Sequence, residues 1–378
     1  MTRAHRIPFN QPVWLGTEPE RLAEAIRDNA WVSAGGPFGN RVERILSDWL
    51  GRTALLTSSG THALEMSALL LDVKPGDEIV LPSFTFVSTA NAFVLRGASL
   101  RFVDVDANGN LDLAAVERAL GPRTRAVVAV HYAGNSADLD GLLAMLGTVP
   151  LIEDAAQALG AKFRGRPLGT FGELAALSFH ETKNLGAGEG GALLVARPEL
   201  RSRALVLRDK GTDRQRFLRG EVDRYTWVDL GSSYGLSDLN AAYLFEQLGS
   251  RERIFQRRRQ LCATYEAALG PDVTRIGGDL VRPHPDNTPN HHSFALVLPS
   301  AELRDRFIAH MAEAGIVTPF HYVALHLSPM GRRHPPPEPL PMSERLSSCL
   351  VRLPLFYNLS DADQGEVIER ALEFLRGV

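Results

Sequence analysis

The chain is poor in several things at once, and each shortage removes a class of function. Of 378 residues only two are cysteines, Cys262 and Cys349. That is too few for a disulfide framework or a four-cysteine zinc site, and it fits a reducing compartment. A basic excess is missing too. The formal net charge is -3, whereas a surface built for a phosphate backbone shows a surplus of Lys and Arg, so no nucleic-acid partner is expected. No stretch reaches the roughly 18 apolar residues of a membrane span, and the opening "MTRAHRIPFNQPVWLG" has no apolar core of signal-peptide length. The expectation is a soluble, cytoplasmic protein with no membrane partner. Lysine is scarce as well: Lys74, Lys162, Lys183 and Lys210 follow Val, Ala, Thr and Asp. A Walker-type phosphate loop needs glycine directly before its lysine, so that chemistry is excluded.

Hydrophobic residues at 44% and charged residues at 22% are those of a folded globular chain. The length exceeds the usual ceiling for one hydrophobic core, which predicts two unequal domains. From about residue 50 to 245 the short apolar runs "DEIVLP", "SLRFVDV", "RAVVAVHY" and "PLIEDA" read as buried strands. Between them lie segments with helical spacing, such as "STANAFVLRG" and "LDLAAVERALG". A helix is also expected after "SSGTHAL". Repeated strand-helix-strand units predict an α/β fold with a mostly parallel sheet, and function at the carboxyl ends of its strands. The stretch from "SDLNAAYLFEQLG" to "ATYEAALG" reads as one long helical linker, whose "SRERIFQRRRQ" is a solvated face. The domains are placed at 1–248 and 249–378, the second smaller and α+β. In it the Pro-rich "RRHPPPEPLP" is expected to be mobile and exposed, and Asp361 to cap the last helix.

Three features carry chemistry. "SFHETKNLGAGEGGALLVA" holds Lys183, and its glycines at 186, 188 and 191 match the G-x-G-x-x-G spacing of a dinucleotide fingerprint. That fingerprint has to open a helix, and these glycines run into the strand-like "ALLVA", which makes the match accidental. A lysine on a turn after the buried strand "AALSF" is instead placed to be a nucleophile once burial and nearby cations strip its proton. Pyridoxal 5'-phosphate (PLP) is the cofactor that most often uses such a lysine. It also needs a carboxylate at its pyridine nitrogen and a cradle for its phosphate. Asp154 closes the apolar run "VPLIED", 29 residues ahead of Lys183, and "LLTSSGTHALEM" supplies hydroxyls and a glycine at a helix start. Each also has a plain reading, as a helix cap or a surface charge; their order on one α/β pattern is what makes them specific. For zinc, the nearest candidates are "HH" at 291–292 and "HYVALH" at 321–326, which lack a carboxylate at ligand spacing; no metal is expected.

Three longer segments, "PSFTFVSTANAFVLRGASLRFVDVD", "IEDAAQALGAKFRGRPLGTFGELAALSFHETKNLGAGEGGAL" and "RLPLFYNLS", resemble the DegT/DnrJ/EryC1/StrS family of PLP-dependent sugar aminotransferases. "SFHETKN" and "GSSY" look most like its WecE/RffA branch, which makes dTDP-4-amino-4,6-dideoxyhexoses. The resemblance implies the aspartate aminotransferase fold (fold type I), with a large PLP domain, a small C-terminal domain and a homodimer sharing two active sites. It implies Lys183 as the cofactor-linked lysine and acid-base group, Asp154 at the pyridinium nitrogen and Gln157 at the ring hydroxyl. Phe86 would stack on the ring, and Ser59, Gly60, Thr61 and Ser178 would cradle the phosphate. Ser233 stands where many members have an Asn that reaches the partner's phosphate. His321 and Tyr322 match a segment near the sugar site; a packing role fits them equally well. Deoxygenating relatives carry His in place of the lysine, so Lys183 favours transamination. The implied reaction moves the amino group of L-glutamate to dTDP-4-keto-6-deoxy-D-glucose, with an amine at C3 of a keto sugar as the alternative and a non-catalytic regulator as the remote one.

Overall fold

In the computed structural model, residues 6–378 are described. The first five, which open the stretch read for a signal segment, lie outside the described residues. Thirteen strands run in chain order: β1 (Thr53–Thr57), β2 (Glu78–Pro82), β3 (Ser99–Val103), β4 (Thr124–Val130), β5 (Leu151–Asp154), β6 (Lys162–Phe163), β7 (Arg166–Pro167), β8 (Leu174–Ser178), β9 (Gly191–Val195), β10 (Asp279–Leu280), β11 (Asn287–Thr288), β12 (Ala295–Val297) and β13 (Leu350–Arg352). Seven of them form the central sheet in the order β1-β9-β8-β5-β4-β2-β3. Only β9 runs against the others.

Alternation along each strand feeds two cores, one on either face. Val80, Val127 and Leu194 pack on one side with Phe38, Leu46 and Leu244. Their neighbours Ile79, Val128 and Leu193 pack on the other with Leu64, Met66 and Phe93. Burial on both faces is why these strands read as unbroken Val/Ile/Leu runs.

A third core lies in the last part of the chain. The antiparallel sheet β10-β12-β13 packs with helices that supply Leu261, Tyr265, Leu269, Phe307, Met311 and Leu375. Helix Arg251–Arg275 serves two cores, since Ile254 joins the first and Leu261 the third. The start of the chain returns to this region: Ile7 N donates to Gly315 O (3.1 Å) and Val317 N donates to Ile7 O (3.0 Å).

The structure corrects several expectations. The helix expected after "SSGTHAL" begins at Gly60, because Ser59 caps it by accepting from His62 N. The long helical linker breaks at Ser250 into Asp238–Gly249 and Arg251–Arg275. The second piece continues through Pro271, where burial of Val273 in the third core outweighs one lost backbone bond. Its arginine-rich face is only partly solvated: Arg258 turns inward and donates to the carbonyls of His291, His292 and Leu355. Ser360, not Asp361, caps the last helix, accepting from Asp363 N while Asp361 pairs with Arg257. The Pro-rich segment is largely exposed but pinned, through His334 to Leu100 N (3.2 Å), Glu338 to Arg118 and buried Leu340.

Candidate active site

The carboxyl ends of β4, β5 and β8 open on a cavity of about 550 Å³, with Val130, Asp154 and Ser178 on its wall. That volume suits a cofactor together with a small substrate. Lys183 enters from the turns between β8 and β9, held by its backbone N–H to His180 O (2.9 Å). No helix follows the glycines at 186, 188 and 191; the last of them starts β9, as a mere coincidence with the dinucleotide spacing requires.

Burial lowers the pKa of the Lys183 amine to about 8, with Asp154 opposing the shift and Arg352 adding to it. An amine so poised is a better nucleophile at neutral pH than an exposed lysine. Asp154 is 7% exposed, and both its oxygens are engaged: Thr89 Oγ1 donates to Oδ2 (2.7 Å) and Ala156 N to Oδ1 (3.2 Å). Its neighbour Glu153 points away from the cavity and accepts from the backbone of Gly169, Phe171 and Gly172 and from His131. Burial alone would raise the Glu153 carboxyl, but the bonds from His131, Gly172 and Gly169 bring it below its ordinary range. Of the two acids in "IED", only Asp154 borders the cavity.

The other sequence-marked residues distribute as follows. Ser59, Gly60 and Thr61 bring the N-terminus of helix Gly60–Leu70 to the cavity wall. The approach is tight: a Cβ on Gly60 would sit 3.0 Å from Ser178 Cβ, and one on Gly191 would run into the Ser59 backbone. Free N–H groups and the positive end of the helix are thereby presented to an anion. Phe86 is 54% exposed and borders the cavity, its ring 6.1 Å from Tyr322. Gln157 accepts from Ala133 N (2.8 Å) and donates to the Tyr322 hydroxyl (2.8 Å). His321 contacts Tyr132 OH through Nδ1 (3.1 Å). Burial, with Arg352 nearby, pushes His321 well below the usual imidazole range, which keeps it neutral. Ser233 is exposed and not part of this cavity; its backbone bridges to Asp209.

Sequence reasoning missed Thr89, His292, Arg352 and the N-terminal Phe9 and Asn10, all of which contact Asp154 or border the cavity. Thr89 lies inside the quoted "STANAF", in the first turn of helix Val87–Val94. His292 is one of the two histidines weighed for zinc; it bonds Asn184 Oδ1 (3.1 Å) and is pushed well down by burial, then by Lys183. Among the described residues no group of three or more His, Cys, Asp or Glu is arranged to hold a metal ion. A buried lysine whose pKa is lowered to about 8, a fixed carboxylate and a helix end cleared by two glycines fit PLP in donor type.

The family model for the DegT/DnrJ/EryC1/StrS aminotransferase family matches residues 15–372. Among solved structures, the aminotransferase TlmJ from Streptoalloteichus hindustanus is 31% identical over 98% of this chain and 99% of its own, with a TM-score of 0.90. DesV from S. venezuelae, solved in complex with a ketimine intermediate, is 31% identical over 99% of both chains, with a TM-score of 0.88. The putative sugar aminotransferase Spr1654 from Streptococcus pneumoniae, in its PLP form, shares the fold at 24% identity and a TM-score of 0.90, over 98% of this chain and 99% of its own. The match runs nearly end to end, so the chain belongs to the DegT/DnrJ/EryC1/StrS aminotransferase family and is a fold-type-I enzyme dependent on pyridoxal 5'-phosphate.

Proposed function

We propose that the enzyme transfers the amino group of L-glutamate to C4 of dTDP-4-keto-6-deoxy-D-glucose, giving a dTDP-4-amino-4,6-dideoxyhexose of gluco or galacto configuration. The observation that carries the reading is the cavity itself. Lys183 and Asp154 share it with His180, His321 and Tyr322, a polar and aromatic wall of the kind that hydrogen-bonds and stacks on a sugar. The "SFHETKN" and "GSSY" segments, similar to those of the 4-aminotransferase branch, support the regiochemistry.

When bound, PLP supplies an electron sink and a carbonyl that accepts an amino group and hands it on. Lys183 Nζ would hold the cofactor and move protons: it takes one from the donor's Cα in the first half of the reaction and delivers one to C4 of the sugar in the second. Asp154 would keep the ring nitrogen protonated, Gln157 would reach the ring hydroxyl and Phe86 would cover the ring. Ser59, Gly60, Thr61 and Ser178 would take the phosphate. Ser233, turned away from its own cavity, would reach the phosphate of a second copy in a homodimer sharing its active sites. His321 and Tyr322 would contact the sugar. The division at 248/249 and a cytoplasmic setting belong to the same reading, and two buried cysteines without a disulfide agree with the latter.

NMR of the sugar product after incubation with dTDP-4-keto-6-deoxyglucose and L-glutamate tests it. An amine at C4 is expected. An amine at C3, or no conversion, overturns it.

A further inference from the structure

Within "SFHETKN", the reaction described above gives roles to Ser178 and Lys183 alone. His180 also borders the cavity, and so does Glu189 on the far limb of the turn that carries the lysine. That turn is closed by its own backbone: Lys183 N donates to His180 O (2.9 Å), Glu181 N to Gly188 O (2.8 Å) and Phe179 N to Gly190 O (2.7 Å). Asn240 pins the far limb, donating through Nδ2 to Ala187 O (2.6 Å) and Glu189 O (3.2 Å). Backbone bonds therefore set where His180 and Glu189 stand, while their side chains stay 41% and 68% exposed.

The His180 ring is oriented as well. Thr182 N donates to Nδ1 (3.2 Å), and the Thr182 hydroxyl stands 2.9 Å from the same atom. A backbone N–H can only donate, so Nδ1 is an acceptor and the ring's proton sits on Nε2. Nε2 lies 3.6 Å from Glu189 Oε1, too far for a direct hydrogen bond. Among the described residues neither Nε2 nor the Glu189 carboxylate has another polar partner. A pair so open to water adds little to stability. It does leave an N–H donor and a carboxylate acceptor side by side on the cavity wall.

What such a pair takes follows from charge and from the reaction. A carboxylate here repels the cofactor's phosphate, the donor's carboxylates and a diphosphate alike. A neutral hydroxyl suits it, since one O–H can accept from Nε2 and donate to Glu189, and the bond to the carboxylate is charge-assisted. In the second half of the reaction C4 of the sugar must come to Lys183 Nζ. The C3 oxygen lies two bonds from C4, about 2.4 Å. On the other side C5 carries the ring oxygen and a methyl, neither of which has a proton to give.

We propose that His180 and Glu189 together read the C3 hydroxyl of the acceptor sugar, the imidazole Nε2–H donating to its oxygen and the carboxylate accepting its hydrogen. The inference rests on the reading of the enzyme as a 4-aminotransferase of a 4-keto-6-deoxyhexose. It makes a free 3-hydroxyl part of the substrate's definition and excludes sugars deoxygenated or substituted there.

The test uses PLP-loaded wild type, Glu189→Ala, Glu189→Gln and His180→Phe, with cofactor content and thermal midpoint as checks of folding. The probes are dTDP-6-deoxy-D-glucose, which has no keto group to react, and its 3-deoxy analogue; calorimetry gives the Kd of each. Wild type should bind the 3-hydroxy probe roughly ten- to hundred-fold more tightly, the range for a hydrogen bond to a charged group. Glu189→Ala and His180→Phe should bring the two probes within about three-fold of one another, and Glu189→Gln, which keeps an acceptor oxygen, should recover part of the preference. Equal binding of the two probes by wild type, no binding of either, or an undiminished preference in both Glu189→Ala and His180→Phe overturns the inference. If the L-glutamate concentration for half-saturation, read by cofactor absorbance, rises as much as the sugar's Kd, the pair only shapes the lysine turn and the inference falls. Failure of wild type to convert dTDP-4-keto-6-deoxyglucose would refute the 4-aminotransferase reading instead, and a 3-hydroxyl preference in the binding data would still stand.

Discussion

The hydroxyl of Thr89 donates to Asp154 Oδ2 at 2.7 Å, and the Thr85 hydroxyl stands 2.8 Å behind it. With Ala156 N on the other oxygen, the carboxylate cannot swing without breaking a bond. Thr89→Val keeps the shape and removes the donor. We expect kcat to fall roughly ten-fold, equivalent to about 1.4 kcal/mol, with the thermal midpoint shifted by only a few degrees. An unchanged kcat would show that the carboxylate needs no such support.

Lys183→Ala removes the amine and leaves the backbone bond from residue 183 to His180 O in place. Turnover should drop by a thousand-fold or more, the loss expected when a nucleophile and acid-base group are removed together. Cofactor should then wash out on dialysis, read by absorbance against wild type.

In the cofactor-free protein the Lys183 amine has its pKa lowered to about 8, chiefly by burial. Linkage to PLP requires the neutral amine. The rate of reconstitution should therefore climb about ten-fold per pH unit below 8 and level off above it. A rate still climbing toward pH 10 would place the amine in water. Stopped-flow absorbance at saturating PLP measures this.

Gly191→Ala would drive a methyl into the Ser59 backbone where β9 passes the start of helix Gly60–Leu70. The expected result is a loss of roughly 1 to 3 kcal/mol of stability, the usual cost of overpacking, and weaker retention of PLP. Urea unfolding and cofactor titration report the two separately.

Arg258→Met keeps the apolar stem and strips the carbonyls of His291, His292 and Leu355 of their donor. Burial already lowers this guanidinium to about 10. Removing it should cost about 2 to 4 kcal/mol in urea unfolding and loosen His292 against the cavity.

Much of the site was legible in the sequence because its central residues sit where chain periodicity changes. Asp154 ends an apolar strand, Lys183 follows another, and Ser59 precedes a helix. Local signals failed where two residues compete for one role, as Ser360 and Asp361 do for the last cap, or where tertiary packing overrides a breaker, as it does past Pro271. They failed too where one of several identical side chains turns inward: nothing within "RRR" distinguishes Arg258 from its neighbours. Arg352, Phe9 and His292 reach the cavity from segments far apart in the chain, so no spacing could pair them with Lys183. Thr89 lay in a helical stretch read only for its apolar period.

The two backbone bonds that tie Ile7 to Gly315 and Val317 constrain the order in which the molecule can be made. On a ribosome adding 5 to 20 residues per second, about 15 to 60 seconds separate the emergence of residue 7 from that of residue 316. Phe9 waits longer still, since it lies under Arg352 and accepts from Leu355 N. The central sheet can form while synthesis continues, but the wall that Phe9 and Asn10 give the cavity is completed only near the end of translation, so chains truncated before residue 316 would carry the lysine and its carboxylate in an unfinished pocket.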